Sequence, residues 1–142
     1  MNAKEYLDRI YFLNKKIDAK IAELEVLGSL LTKVNKELSP DVVQSSGSKD
    51  TLGDTVAKIV DLQKEINNMI DEYVDEYQEV VNIIEQVSDS KEYDLLHKRY
   101  IQGKTWAEIS REWDNSNTWV HEVKRNAFNS VQKILDKKYG EH

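Results

Sequence analysis

The chain has 142 residues, with 20 Lys or Arg against 26 Asp or Glu, a net charge of −6, and 39% hydrophobic residues. One proline, five glycines and no cysteine exclude a turn-rich β-sandwich or barrel, a disulfide scaffold, a thiolate nucleophile and a cysteine zinc site. Apolar runs fall far short of the roughly 18 residues a transmembrane helix needs, and the charged opening has no signal-peptide core, so the expectation is a soluble, cytoplasmic, all-α protein.

From Ala3 to Leu38 the apolar residues follow a heptad. One seam is Ile10, Ile17, Leu24, Leu31 and Leu38; its partner is Leu7, Asn14, Ile21, Gly28 and Asn35. Alternating steps of three and four place both on one stripe of a helix. A second such helix is expected from about Leu52 to Val87. Its seams are Leu52, Ile59, Ile66, Tyr73, Val80 and Val87, and Val56, Gln63, Ile70, Tyr77 and Ile84. Between the two, Pro40 ends the first helix and the Ser/Gly run before Asp50 reverses the chain. Equal lengths and a short link predict a long antiparallel helical hairpin over residues 1–88. Two such helices share a thin core, so a homodimer through the Ile10, Ile17, Leu24 and Leu31 seam, or the face beside it, is expected. The alternative is a monomer in which the C-terminal helices cover that face.

Charge divides along the same line. Residues 1–88 hold 10 basic and 17 acidic side chains, net −7, whereas residues 89–142 hold 10 and 9, net +1. Any contact with nucleic acid belongs to the second part.

Residues 89–142 read as a separate small domain. Ser88, Asp89 and Ser90 offer caps, and Tyr93, Leu96 and Tyr100 follow at helical spacing up to Gly103, a helix stop. Thr105 and Glu108 form a capping box for a two-turn helix containing Ile109 and Trp113. Ser116 is expected to cap a last helix with Val120, Val123, Ala127, Val131 and Ile134 inward. A short helix, tight turn and longer helix make a helix-turn-helix. Its outward residues are then Asn117, Thr118, His121, Lys124 and Arg125, donors and bases near a helix N-terminus.

The stretch from Tyr93 to Ser110 resembles the opening of a sigma-70 region 4 domain, through Leu96, Arg99, Tyr100, Gly103, Thr105, Glu108 and Ile109. Ser116, Val120, Val123 and Ala127 match its recognition helix. With the N-terminal hairpin and the segment from Val43 to Asp50, the whole chain resembles the phage-encoded transcriptional regulators of Gram-positive bacteria typified by RinA and ArpU. The resemblance implies promoter binding to double-stranded DNA in a bacterial host cell and contact with RNA polymerase. Carried over by position, Asn117, Thr118, His121 and Glu122 face bases, and Thr105, Lys124 and Arg125 face phosphates. Trp113, Asp114 and Asn115 depart from the small-residue turn of that family. Glu122 either accepts from a cytosine amine or is a solvated carboxylate.

No catalytic residue, metal or cofactor is expected. Glu72 and Asp75 have a spacing used for Mg²⁺ in helical pyrophosphohydrolases, but the first helix lacks the matching acids. His97, His121 and His142 stand far apart without companions. Trp119 lies off the apolar stripe, free to cover the hairpin, touch DNA sugars or meet a partner. The competing functional reading is a helical protein-interaction module, an anti-repressor or polymerase adaptor, that does not read DNA.

Overall fold

The computed structural model describes residues 2–37, 46–113 and 117–140, with side chains for all but 34–37, 46–50, 117 and 118. The fold is all-α, with no strand among the described residues. Five α-helices follow in order: α1 (Ala3–Glu37), α2 (Ser46–Glu85), α3 (Ser90–Leu96), α4 (Trp106–Trp113) and α5 (Asn117–Lys138). A single π-turn, His97–Ile101, continues α3. Among the described residues no helix is long and apolar enough to cross a membrane.

The helix α2 begins at Ser46, six residues before the Leu52 expected from periodicity. Serine and glycine carry no apolar period, yet both are accepted at a helix start, where the first amides need no intrahelical partner.

The chain forms two compact units, residues 1–14 with 73–142, and residues 15–72. The boundaries between the units fall inside α1 and α2. The reason is visible in the core of the first unit. Leu95, Leu96, Tyr100, Val120, Ala127, Val131 and Leu135 are buried in one cluster with Ala3, Leu7 and Ile10 of α1 and Val80, Ile83, Ile84 and Val87 of α2. The helices expected to form a domain alone therefore share their core with the first turns of α1 and the last turns of α2. Polar ties follow the same path. The Tyr100 hydroxyl donates to Asp8 Oδ1 at 3.0 Å, the Ala3 amide donates to Gln132 Oε1 at 2.8 Å, and the Tyr139 hydroxyl donates to Glu79 Oε1 at 2.8 Å.

The second unit has a thinner interior. Among the described residues its buried apolar side chains are Ile17 of α1 and Leu62, Ile66 and Met69 of α2. Lys20 Nζ lies 3.4 Å from Glu65 Oε1. The expected seams of α2 hold at Ile66, Val80, Ile84 and Val87, which are buried, and part company with the fold between 56 and 70. There Leu62 and Met69 are buried, whereas Val56 is 43% and Ile70 39% exposed and Gln63 is exposed. The heptad holds two candidate partners for the Ile59–Ile66 seam, one on each side; burial selects the Leu62–Met69 side, and the Val56–Gln63–Ile70 side faces solvent. On α1, Ile10 and Ile17 are buried within the chain itself, so they are not the free face the sequence reading assigns to a second copy.

Candidate nucleic-acid interface

The residues expected to meet DNA lie on α5, except Thr105, which stands just before α4; all are inside the first unit. Asp89 starts this region, its carboxylate accepting from the amides of Lys91 and Glu92 at 3.0 Å. In the π-turn the Gln102 amide reaches back five residues to His97 O at 3.0 Å. Tyr100, within this turn, is buried in the core. Gly103 follows at φ 73°, a left-handed conformation that glycine accepts without steric cost.

The capping box at α4 is present as the spacing predicts. The Glu108 amide donates to Thr105 Oγ1 at 3.1 Å, and the Thr105 amide donates to Glu108 Oε1 at 3.2 Å. These bonds from Thr105 hold the Glu108 carboxyl below the usual carboxylate range. Thr105 Oγ1 accepts from the Glu108 amide, and its side chain and amide both bond the Glu108 carboxylate, so the hydroxyl belongs to the cap. At the far end of α4, Lys104 reaches Glu112 at 2.8 Å and Lys98 reaches it at 3.4 Å, anchoring α4 to the preceding turn.

The α5 helix turns Val120, Ala127, Val131 and Leu135 inward. His121, Glu122, Arg125, Asn126 and Asn129 are exposed on its other side. Asn126 and Asn129 extend the polar face beyond the residues read from sequence; amides at helical spacing on an outward face are the signal that points to them. Asn117 and Thr118 open α5, but their side chains, the expected cap Ser116 and the turn at 114–116 lie outside the described residues.

Lys124 differs from its expected outward course. It is half-buried, with Nζ 4.4 Å from the centre of the Trp106 ring. Burial, followed by repulsion from Lys4 and Arg99, lowers its pKa from the ordinary lysine value. Lys4 and Arg99 are therefore additional cations at this site. The Arg99 guanidinium is itself sandwiched, 3.6 Å from the Tyr11 ring centre and 4.5 Å from that of Trp106, and donates to Lys104 O at 3.3 Å. Arg99 belongs to the sequence motif, whereas the arrival of Lys4 depends on where α1 packs and has no local signal.

Between α4 and α5 runs an open groove of about 240 Å³ lined by Trp106, Ala107, Ser110, Val120, His121 and Lys124. The structure thus brings His121 and Lys124 together and leaves Arg125 exposed one residue further on. Trp119 touches neither the groove nor solvent alone. Its ring packs 4.9 Å from that of Trp113, with Lys91 Nζ over both, and Trp113 donates to Asp94 Oδ2 at 2.8 Å. None of the three roles the sequence left open for Trp119 includes this pairing; it fastens α5 to α4 and α3.

The other candidates stand apart. Glu72 and Asp75 are exposed, and among the described residues no group of three or more His, Asp or Glu stands where it could hold a metal ion. His97 stacks on Tyr93 and bonds Gln102; His142 lies outside the described residues. No protein-family model, curated protein or solved structure matches the chain.

Proposed function

We propose that this protein is a DNA-binding transcriptional regulator of the phage type, acting in the cytoplasm of a bacterial host, in which α4 and α5 form a helix-turn-helix and α1 and α2 an antiparallel hairpin. The carrying observation is the division of α5 into an inward apolar side and an outward side holding His121, Arg125, Asn126 and Asn129, next to a capped two-turn helix. On this reading Asn117, Thr118, His121 and Glu122 meet base edges. Thr105 and Arg125 meet phosphates, and Lys124 adds field from the groove floor with Lys4 and Arg99 behind it. A homodimer would present two such faces to a two-fold operator, and contact with RNA polymerase falls to surfaces away from α5.

The test is selection of duplexes from a random-sequence pool, followed by titration of winners and scrambled controls at several salt concentrations. A regulator enriches a motif and keeps a specific-to-random ratio as salt rises. Within that assay His121→Ala lowers affinity for the selected site far more than for random DNA. Arg125→Ala lowers both alike and lessens the salt slope by about one. A second reading, a protein-interaction module that does not read DNA, draws support from the net charge of −6 and the inward course of Lys124. It predicts no enriched motif and binding that vanishes with salt.

A further inference from the structure

The side of α2 that the fold leaves outside is patterned. Val56, Val60, Gln63, Asn67, Ile70 and Val74 follow one another at steps of four, three, four, three and four, which keeps them on one stripe of an α-helix. All six are exposed, Val74 at 56%. The order is apolar, apolar, amide, amide, apolar, apolar, and both the spacing and the chemistry read the same in either direction about residue 65. A two-fold contact needs that property, since each residue on one copy must find a suitable partner on an identical surface.

We infer that this stripe is the seam of an antiparallel homodimer in which α2 packs against α2 of a second copy, with the two-fold axis near residue 65. Val60 then meets Ile70 of the second copy, Val56 meets Val74, and Gln63 meets Asn67, each pair occurring twice. Gln and Asn side chains each offer a donor and an acceptor, so the central amides satisfy one another across the axis. A register slip sets amides against Val60 or Ile70 and leaves them unpaired, which is how a polar residue in an apolar seam fixes alignment. The area suits a reversible dimer. The six side chains and their flanks cover on the order of 1,000 Å² over two copies, at the lower edge of specific interfaces. The inference deepens the dimer reading above and is independent of the DNA reading.

The experiment uses the full chain without DNA. Sedimentation velocity over a concentration series shows a mass rising from 16.5 kDa to twice that value. Val60→Lys and Ile70→Lys each weaken association by at least about tenfold with helical circular dichroism unchanged, because both sites are exposed in the single chain. Orientation is read by oxidation, since the chain has no cysteine of its own. Val56→Cys and Val74→Cys proteins cross-link when mixed, and neither does so alone, because two copies of residue 56 sit about 27 Å apart along antiparallel helices. A monomer at all concentrations, a dimer indifferent to both lysines, or self-cross-linking of Val56→Cys each overturns the seam. None of these outcomes bears on whether one copy reads DNA, which the selection above decides separately.

Discussion

The two compact units are built from the same two long helices and differ in what else they bury. In residues 1–14 with 73–142, the ends of α1 and α2 meet three further helices, and Leu7, Ile83, Leu95, Leu96, Tyr100, Ile109, Ala127, Val131 and Leu135 are almost wholly excluded from water. Among the described residues of 15–72, Ile17, Leu62, Ile66 and Met69 are the buried apolar side chains, while Val26, Leu30, Val56 and Val60 remain exposed. Amphipathic helices of one chain thus yield a close-packed core where a third layer exists and a marginal one where it does not.

The largest effect that tests this contrast is truncation. A fragment of residues 88–142 lacks Ala3, Leu7, Ile10, Val80, Ile83, Ile84 and Val87, seven of the fourteen side chains in the shared cluster. Such a fragment is expected to be unfolded by circular dichroism for want of a core, and with it the proposed DNA face would be lost. Cooperative melting of that fragment would show that α3 to α5 form a domain without the ends of α1 and α2. The next effect is a pair of substitutions. Leu7→Ala opens a cavity in a sealed core and should cost about 3 kcal/mol in chemical denaturation, whereas Ile66→Ala, in the thinner interior of the second unit, should cost less, about 2 kcal/mol. Equal costs would erase the distinction between the units. Hydrogen exchange should show the same order, with amides of residues 15–72 opening first.

Much of this was legible in the sequence, and what was not has physical causes. The capping box at Thr105 and Glu108, the stop at Gly103 and the inward residues Val120, Ala127 and Val131 follow from local chemistry and were readable. The inward residues of α2 at 62 and 69 were not, because Leu62 and Val56 flank Ile59 equally well and only tertiary packing selects between them; Ile66, Val80, Ile84 and Val87 of the same helix were. Nor was the burial of Leu7 and Ile10 beside Leu96 and Tyr100, since pairing between residues some 90 apart leaves no local trace. Lys124 was misplaced for a related reason. A lysine stem covers an aromatic ring as readily as it extends into water, and whether Trp106 stands beneath it depends on the packing of α4.

A smaller effect follows from phenols. Burial, with Glu79 adding to it, pushes the Tyr6 hydroxyl from 10.0 up to about 12, and burial with Asp8 raises Tyr100 further. A raised phenol favours the folded state in its neutral form. Its contribution is complete below pH 10 and is lost as pH climbs through about 12. Both tyrosines belong to the first unit. Its advantage over the second should therefore shrink in that alkaline window, visible as a fall in protection of its amides alongside tyrosinate absorbance. Tyr6→Phe should flatten the dependence. If the two units lost protection together from neutral pH upward, the phenols would not be its source.

The smallest effect is expected at the start of α4. Glu108 has its pKa lowered chiefly by the Thr105 amide and hydroxyl, so its contribution is present above 4.5 and disappears as pH falls below that value. Glu108→Gln keeps an acceptor for the Thr105 amide, because glutamine also serves in a capping box, but carries no titrating group. The variant should fall slightly below the parent in Tm at pH 7, the difference being the charge on the helix N-terminus, and match it at an acid pH below the carboxyl's lowered range. Thr105→Ala removes the other half of the box and should lower Tm at both pH values. The pair also bears on the interface. On the proposed reading, Thr105→Ala should weaken binding to any duplex through loss of one phosphate contact, whereas Glu108→Gln, which leaves the Thr105 hydroxyl in place, should weaken it less. Equal loss for both variants would mean that the cap acts on DNA only by ordering α4.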